Sequence, residues 1–472
     1  MNIYSHKIRF YLFLIFFIHI IYSQDLFFKI TGDSNNGKNN YYITLYIGEQ
    51  KKSQTFLLST TTSLISSQCN LNSSKNSLYE TIKEKDIINC SKNNTICLNY
   101  PFSSCKNNSK CEFNYIYNNT SILKGLYTKQ KISFLENGDS YLFPIGCTTY
   151  ESNKFFTNEI DGILGLNSEK NSILEFLYNE KRIKNNIFSI CLNHKKGGYL
   201  SLGNVDIVAL SNKKNKKEKN ILINYIPYTI TDNNKYTLDI NSLYVEKGNN
   251  IITKDETHKS IIDTLSVKTY FTEQLYNNLI NDILSFCLNK KGNCNDIQKL
   301  ESNLYCSNFK SKQKIIKSIN KDWPSIIIGF NGYEHVLMPE NYFIAYSHEG
   351  KIKACIGFEK SDKEYNILGT TFLNGYNVVF DNENKKIGFI ASYCDNFELN
   401  KKKEEEEYIN RVFDDPINII IVCVSIAGII VMILLLIILY KIFCNTKTPT
   451  RKGYVRQVDV MNTINSFTDN RK

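Results

Sequence analysis

Two short turns in the sequence have the same form but differ at the residue that could do acid–base chemistry. Residues 57–60 read Leu-Leu-Ser-Thr, and residues 261–264 read Ile-Ile-Asp-Thr. Asp263 can act as a general acid or base, whereas Ser59 has no usable pKa near neutrality. Because each turn closes a β-rich run, the repeat predicts two homologous halves whose turns face each other across a cleft.

The elements that must position these turns are mostly short β-rich runs bounded by Gly, Asn and Asp, which predicts a mostly-β architecture. Examples are residues 41–47, 54–58, 199–202 and 376–380. Two stretches with apolar residues at i, i+3, i+4 spacing, Ser172–Arg182 and Thr272–Cys287, predict helices. The Lys- and Asn-rich segment 211–219 indicates a solvated connection between the halves.

Each half also contains an Ile-Leu-Gly element, at 163–165 and at 367–369. Glycine at these positions lets a neighbouring backbone come close, which a side chain would block. We therefore expect Gly165 and Gly369 to lie against backbone.

Both ends of the chain carry targeting patterns. Basic residues precede a short apolar run at 10–21, which predicts a signal peptide over residues 1–23. Residues 417–440 are almost wholly apolar and predict one transmembrane helix, preceded by a charged stalk at 397–416. The basic tail at 441–472 predicts a cytosolic C-terminus. The chain is thus predicted to be a single-pass type I protein of a secretory-pathway membrane, in the endoplasmic reticulum or at the cell surface.

Composition agrees with that location and excludes several functions. Of 14 Cys, twelve precede the apolar span and suit disulfides, and Asn-x-Ser/Thr sequons such as Asn72-Ser73-Ser74 allow glycosylation. The net charge of +11 comes from scattered Lys without an Arg/aromatic array, so nucleic acid is not an expected partner. No C-x-x-C, His-Glu-x-x-His, Walker-type glycine loop or Gly-x-Ser-x-Gly elbow occurs, so we expect no metal and no cofactor.

The order of motifs from about Tyr41 to Cys394 resembles the pepsin-like (A1) aspartic proteases. The matching segments are 161–166, 188–191 with 197–203, 366–373, 378–381 and 387–389. Within this family the sequence is most similar to the plasmepsin V branch, through the C-terminal apolar span, the segment 110–113 and the insertion containing Cys90, Cys97, Cys105 and Cys111. The resemblance implies two lobes, at 24–210 and 211–396, around a central cleft.

By this resemblance, Asp263 is one of the two catalytic aspartates, and Ser59 stands where the other belongs. Two carboxylates must share one proton for one to act as base and the other as acid. Thr60 and Thr264 correspond to the threonines that lock the two catalytic turns together. Thr61 and Leu265 replace the glycines that follow, and their side chains are expected to disturb turns shaped for glycine.

The resemblance also assigns a flap tyrosine and disulfides. Tyr117, in the segment 117–121, corresponds to the tyrosine of the hairpin that closes over the cleft; the alternative is an ordinary hairpin tyrosine. The implied disulfides are Cys191–Cys394 and Cys306–Cys355, with Cys287–Cys294 as a local pair. The six Cys of the first lobe allow about 15 pairings, and the sequence does not choose among them.

Three functional hypotheses follow. The first is a pseudoprotease that binds a peptide or protein in its cleft without cutting it, because an acid/base group is lost. The second is a weakly active aspartic endopeptidase that relies on Asp263 and Ser59. The third is a lumenal or surface interaction protein whose cleft is vestigial. The sequence gives no indication of the oligomeric state.

Overall fold

The computed structural model describes residues 26–32, 41–69, 82–90, 95–106, 110–117, 121–152, 159–193, 197–205, 223–230, 234–246, 258–288, 294, 296–300, 304–309, 319–348, 351–392, 394, 428, 431–432 and 434–439. The predicted signal peptide, stalk and cytosolic tail, the segment 211–219 and most of the predicted transmembrane helix lie outside these residues. Residues 428, 431–432 and 434–439 are helical. Among the described residues, no helix is both long enough and apolar enough to cross a membrane.

The first half of the chain is built mainly of strands. They are β1 (Leu26–Ile30), β2 (Tyr42–Ile47), β3 (Lys52–Ser59), β4 (Ile65–Gln68), β5 (Ser103–Lys106), β6 (Lys110–Tyr117), β7 (Ser121–Ser133), β8 (Ser140–Glu151), β9 (Gly162–Gly165), β10 (Ile187–Asn193) and β11 (Gly197–Leu202). The helices are a 3-10 turn (Glu84–Asp86), α1 (Thr95–Leu98) and α2 (Ile173–Asn179). Ser172 caps α2 by accepting from the amide of Glu175, within the predicted helical stretch.

The second half repeats this composition. Its strands are β12 (Asn224–Pro227), β13 (Thr229–Ile230), β14 (Tyr236–Ile240), β15 (Ser242–Val245), β16 (His258–Ile262), β17 (Thr269–Phe271), β18 (Gln298–Lys299), β19 (Tyr305–Phe309), β20 (Ile326–Phe330), β21 (Tyr333–Leu337), β22 (Phe343–His348), β23 (Lys351–Ile356), β24 (Phe358–Lys360), β25 (Asn366–Leu368), β26 (Tyr376–Asp381) and β27 (Lys386–Ala391). Its helices include α3 (Glu273–Leu288), α4 (Pro339–Tyr342) and α5 (Thr370–Leu373), and residues 319–322 are also helical. Helix α3 confirms the second predicted helix, and its buried face is apolar at the expected spacing.

Three features of the sheets position the site. An eight-stranded sheet of the first half runs β2-β3-β9-β4-β8-β7-β6-β5, and a six-stranded sheet of the second half runs β13-β14-β16-β25-β17-β24. A third sheet, β1-β11-β10-β26-β27-β12, takes strands from both halves through the antiparallel pairing of β10 with β26. This shared sheet joins the two halves, and the described residues between 26 and 394 belong to one compact unit. The mostly-β prediction is confirmed, while the boundary at 210/211 lies outside the described residues.

The core is continuous across the shared sheet. Phe188 and Phe380 stack face to face, with ring centroids 4.4 Å apart, and both are fully buried. The Tyr236 hydroxyl donates to the carbonyl of Leu166, 3.1 Å away, and thereby ties β14 to the first half. Burial of apolar side chains, as in the Phe188–Phe380 stack, supplies most of the stability of a β fold.

Candidate active site

The turns that contain Ser59 and Asp263 each follow a β-strand, and the neighbouring strand in the sheet leads into an Ile-Leu-Gly element. Ser59 is the last residue of β3, which runs parallel to β9 and places Ser59 opposite Gly165. In the same way, β16 runs parallel to β25 and ends at Ile262, opposite Leu368. The Asp263 amide then donates to the Leu368 carbonyl at 3.0 Å. The predicted repeat is therefore present as two matching strand pairs.

The two glycines lie where the predicted close approach requires them. A Cβ on Gly165 would lie 2.4 Å from the carbonyl carbon of Ser63 and 2.5 Å from the oxygen of Thr62. A Cβ on Gly369 would lie 2.1 Å from the oxygen of Lys268. Real Cβ atoms do not come this close to backbone, so both turns require glycine behind them.

Thr60 and Thr264 form a reciprocal lock between the two turns. The Thr60 hydroxyl donates to the Ile262 carbonyl at 2.9 Å and accepts from the Thr264 amide at 3.2 Å. The Thr264 hydroxyl donates to the Leu58 carbonyl at 2.6 Å and accepts from the Thr60 amide at 3.1 Å. Both hydroxyls use donor and acceptor capacity in a buried site, which fixes the turns face to face.

The structure differs from the expectation that Thr61 and Leu265 disturb these turns. Neither residue has the left-handed backbone that would need glycine. The Leu265 amide donates to Asp263 Oδ1 at 2.9 Å, and the Leu265 side chain is buried. It joins an apolar cluster of the first half that includes Phe113 and Tyr115. The larger side chain is accommodated because it packs under the hairpin formed by β6 and β7.

Asp263 is a buried carboxylate, with 3% exposure, whose oxygens both accept hydrogen bonds. Besides the Leu265 amide, the Ser266 hydroxyl donates to Oδ2 at 2.8 Å and the Tyr117 hydroxyl donates to Oδ2 at 2.9 Å. Desolvation raises the pKa of Asp263, and the hydrogen bonds from Ser266, Leu265 and Tyr117 and the charge of Lys235 oppose that rise. The carboxyl is thus easier to protonate than an exposed one.

Ser59 occupies the position opposite Asp263 and is fully buried. Its Oγ lies 3.2 Å from Thr61 Oγ1. The nearby Tyr115 hydroxyl has a raised pKa, first through burial and then through the charge of Asp263, while hydrogen bonds to Thr61 and Ser59 oppose the rise. Three hydroxyls therefore surround the place of the first carboxylate. None of these hydroxyls ionises near neutrality, so this half of the site holds no acid–base group.

Tyr117 lies at the end of β6, beside the hairpin tip at 118–120, which is outside the described residues. Besides its bond to Asp263, its hydroxyl lies 3.1 Å from Ser266 Oγ. Burial and the charge of Asp263 raise the pKa of Tyr117 well above its ordinary value, so this hydroxyl stays protonated and donates. The tyrosine thus covers the remaining carboxylate directly.

Several residues of the site were not predicted from the sequence. Ser266 and Tyr115 contact the two key positions, and a cavity of about 120 Å³ beside Asp263 is also lined by Phe102 and Lys235. Tyr115 could have been found from the sequence. Side chains alternate between the two faces of a strand, so Tyr115 lies on the same face of β6 as Tyr117. Phe102 and Lys235 are brought in by loops, and their sequence neighbourhood carries no comparable pattern.

Six disulfides are present among the described residues. Those of the second half and the shared sheet are the pairs implied by the resemblance, Cys191–Cys394, Cys287–Cys294 and Cys306–Cys355. In the first half the pairs are Cys69–Cys147, Cys90–Cys105 and Cys97–Cys111. The sulfurs of Cys90, Cys97 and Cys105 lie within 4.8 Å of one another, but all three are disulfide-bonded and offer no thiolate to a metal.

Comparison with known proteins gives the family that the order of sequence motifs resembles. The chain is 29% identical over 366 residues to plasmepsin VII of Plasmodium berghei, covering 66% of this chain and 70% of that protein. It is 24% identical over 449 residues to plasmepsin V of Plasmodium falciparum, covering 79% and 74%. Aspartic proteinase-like protein 1 of Arabidopsis thaliana is 23% identical over 311 residues, covering 61% and 54%. The family model for eukaryotic aspartyl protease matches residues 40–392, and the chain belongs to that family.

Proposed function

We propose that this chain is a pseudoprotease of the secretory pathway, anchored by residues 417–440, that binds a peptide or protein in its cleft without cutting it. The observation that carries the proposal is the pairing of Asp263 with Ser59 inside an otherwise complete frame. The threonine lock and both supporting glycines are present, yet only one of the two facing positions holds a carboxylate. A water between these positions has no second group with which to share a proton.

A cleft can still bind peptides after it has lost its catalytic activity. In a cleft of this kind an extended chain is held by backbone hydrogen bonds and side-chain pockets, neither of which needs the catalytic pair. The hairpin of β6 and β7, the cavity of about 120 Å³ beside Asp263 and the rigid turns supply such a cleft. The apolar span and its basic flank support the membrane anchor, and the disulfides support a secretory or extracellular location.

A second candidate is a weakly active aspartic endopeptidase, as the names of the plasmepsin relatives suggest. The observation that favours it is the retained Asp263, whose raised pKa makes this carboxyl easier to protonate than an exposed one, as a general acid requires. The Tyr117 hydroxyl, however, already donates to Oδ2 of that carboxyl group. A vestigial cleft, with binding on the exterior of the lobes, is the third candidate and becomes an outcome of the test below.

The test is cleavage of a diverse peptide library by the purified full-length chain between about pH 4 and pH 7.5. The matched variants are Asp263→Ala and the triple restoration Ser59→Asp, Thr61→Gly, Leu265→Gly. We expect the native chain to cleave no faster than Asp263→Ala, and the restored variant to cleave at least about 10²-fold faster than that background, the usual contribution of one acid–base group. Thermal unfolding of each variant checks that the fold is kept.

Two results would contradict the proposal. Cleavage by the native chain that Asp263→Ala abolishes would establish the endopeptidase instead. Capture of partners that is unaffected by substitutions in the cleft would favour the vestigial-cleft hypothesis.

A further inference from the structure

The cavity beside Asp263 has two chemically different walls. Its volume is about 120 Å³. Ile116 and Phe102 line it from the hairpin side, and Lys235 lines it from the second half. Asp263 also lines the cavity, so the site presents apolar surface, a cation and one buried carboxyl group around one small space.

Lys235 is held in place but has no ion pair within the part of the chain that the structure describes. It is half-buried, and its backbone is fixed on both sides. The Asn234 carbonyl accepts from the Ser168 hydroxyl at 3.2 Å, and the Lys235 carbonyl accepts from the Thr237 hydroxyl at 3.3 Å. The oxygens of Asp263 already accept from three other donors. The Lys235 charge acts on Asp263 without a direct ion pair among the described residues, so its ammonium group can still pair with an anionic group that enters the cavity.

Phe102 is presented to the cavity at a conformational cost. Its φ is 56°, in the left-handed region that an aromatic residue rarely adopts. The amide of Asn114 donates to its carbonyl at 3.1 Å, and its ring lies 4.9 Å from that of Tyr115. The side chain is nevertheless 43% exposed, and that of neighbouring Ile116 is 51% exposed. Phe102 and Ile116 therefore leave apolar surface exposed at the mouth of the cavity, against which an apolar side chain can pack.

We propose that the cleft selects peptides with an acidic residue next to a large apolar one. The acidic side chain pairs with Lys235, and the apolar side chain packs on Phe102 and Ile116. This inference rests on the proposed peptide-binding function and names the class of ligand that the function would take. It follows from charge complementarity with an unpaired cation and from the exposed apolar rim beside it.

The test uses the full-length chain and three fluorescent decapeptide pools with a fixed central Leu. The residues flanking that Leu are Glu in one pool, Gln in the second and Lys in the third. We expect the Glu pool to bind roughly three- to ten-fold tighter than the Gln pool at low salt, and the Lys pool to bind weakest. Lys235→Met should remove the preference for Glu over Gln, and Lys235→Glu should reverse the order of the Glu and Lys pools.

The control is Lys259→Glu, an exposed residue of β16 that makes the same change of charge outside the cavity. It should leave the order of the pools unchanged. Phe102→Ala should weaken all three pools by about the same factor. Binding without any charge preference, or a preference that survives Lys235→Glu, would overturn the selection by Lys235 while peptide binding stands. If no pool binds, the proposed function fails and this inference falls with it.

Discussion

The two turns at the cleft share their frame and differ in their chemistry. In both, a threonine reaches across to the opposite turn and a glycine one strand away lets the backbone approach. The second turn holds Asp263 with three hydrogen-bond donors, whereas the first holds Ser59 among other hydroxyls. The lock and the glycines fix the backbone of the fold, so they are needed whether or not the site reacts. A carboxylate is needed only for catalysis or to supply charge, and the two turns differ in whether they have one.

The largest expected effect comes from adding a methyl group behind each turn. Gly369→Ala would place a Cβ 2.1 Å from the Lys268 oxygen, and Gly165→Ala would place one 2.4 Å from the Ser63 carbonyl carbon. Because the obstacles are backbone atoms, each substitution should lower the free energy of unfolding by at least about 3 kcal/mol or prevent folding. Gly332→Ala is the control, since no atom lies within 4 Å of that Cβ, although its φ of 80° adds some strain. Equal tolerance of all three would show that the turns are not held by this approach.

The threonine lock predicts an effect of intermediate size. Thr60→Val and Thr264→Val each remove a buried hydroxyl with two partners across the cleft, and each should cost about 2–4 kcal/mol in chemical denaturation. Since both substitutions break the same network, the double variant should cost clearly less than the two losses added together. Additive losses would mean that the two turns are fixed independently.

The smallest expected effect separates Asp263 from its serine counterpart. Its folded-state pKa is raised, so the folded protein keeps a proton that the unfolded chain loses above about pH 4. This stability is full below that pH and is lost as the pH rises through the folded-state pKa. Asp263→Asn has no titrating group at this position and so does not lose stability as the pH rises. Between about pH 4 and the folded-state pKa, the free energy of unfolding of the variant minus that of the native chain should therefore increase by up to about 1.4 kcal/mol per pH unit. A stability difference that does not change with pH would contradict a raised pKa.

That measurement requires a control for His335, which titrates in the opposite sense. It is fully buried between aromatic rings, and desolvation lowers its pKa to about 3. Below about pH 6.5 the unfolded chain binds a proton that the folded chain does not, so stability falls as the pH falls. His335→Gln keeps a donor for the Phe372 carbonyl and should reduce this acid sensitivity in both the native and the Asp263→Asn backgrounds.

The sequence predicted the frame of the molecule better than its cleft. Strand runs, two helices, the repeat and the lost carboxylate could be recognised because they depend on residue type and local spacing. The packing of Leu265 under the hairpin could not, since it depends on Phe113 and Tyr115 from the other half of the chain. The positions of Lys235 and Phe102 could not be predicted either, because loops and not periodic elements bring them to the cavity. The membrane anchor and signal peptide stay predictions from the sequence.

The two disulfides beside the hairpin have a consequence for how this protein matures. Cys90–Cys105 and Cys97–Cys111 interleave along the chain, with separations of 15 and 14 residues. During synthesis each cysteine first meets its nearest neighbour in sequence, and the shorter loops of neighbour pairs close slightly more easily. A neighbour pair formed in this way must be undone by thiol–disulfide exchange before the interleaved pairing can form. A disulfide-exchange catalyst in the compartment where the chain folds is therefore expected to speed the maturation of the cleft wall that carries Phe102.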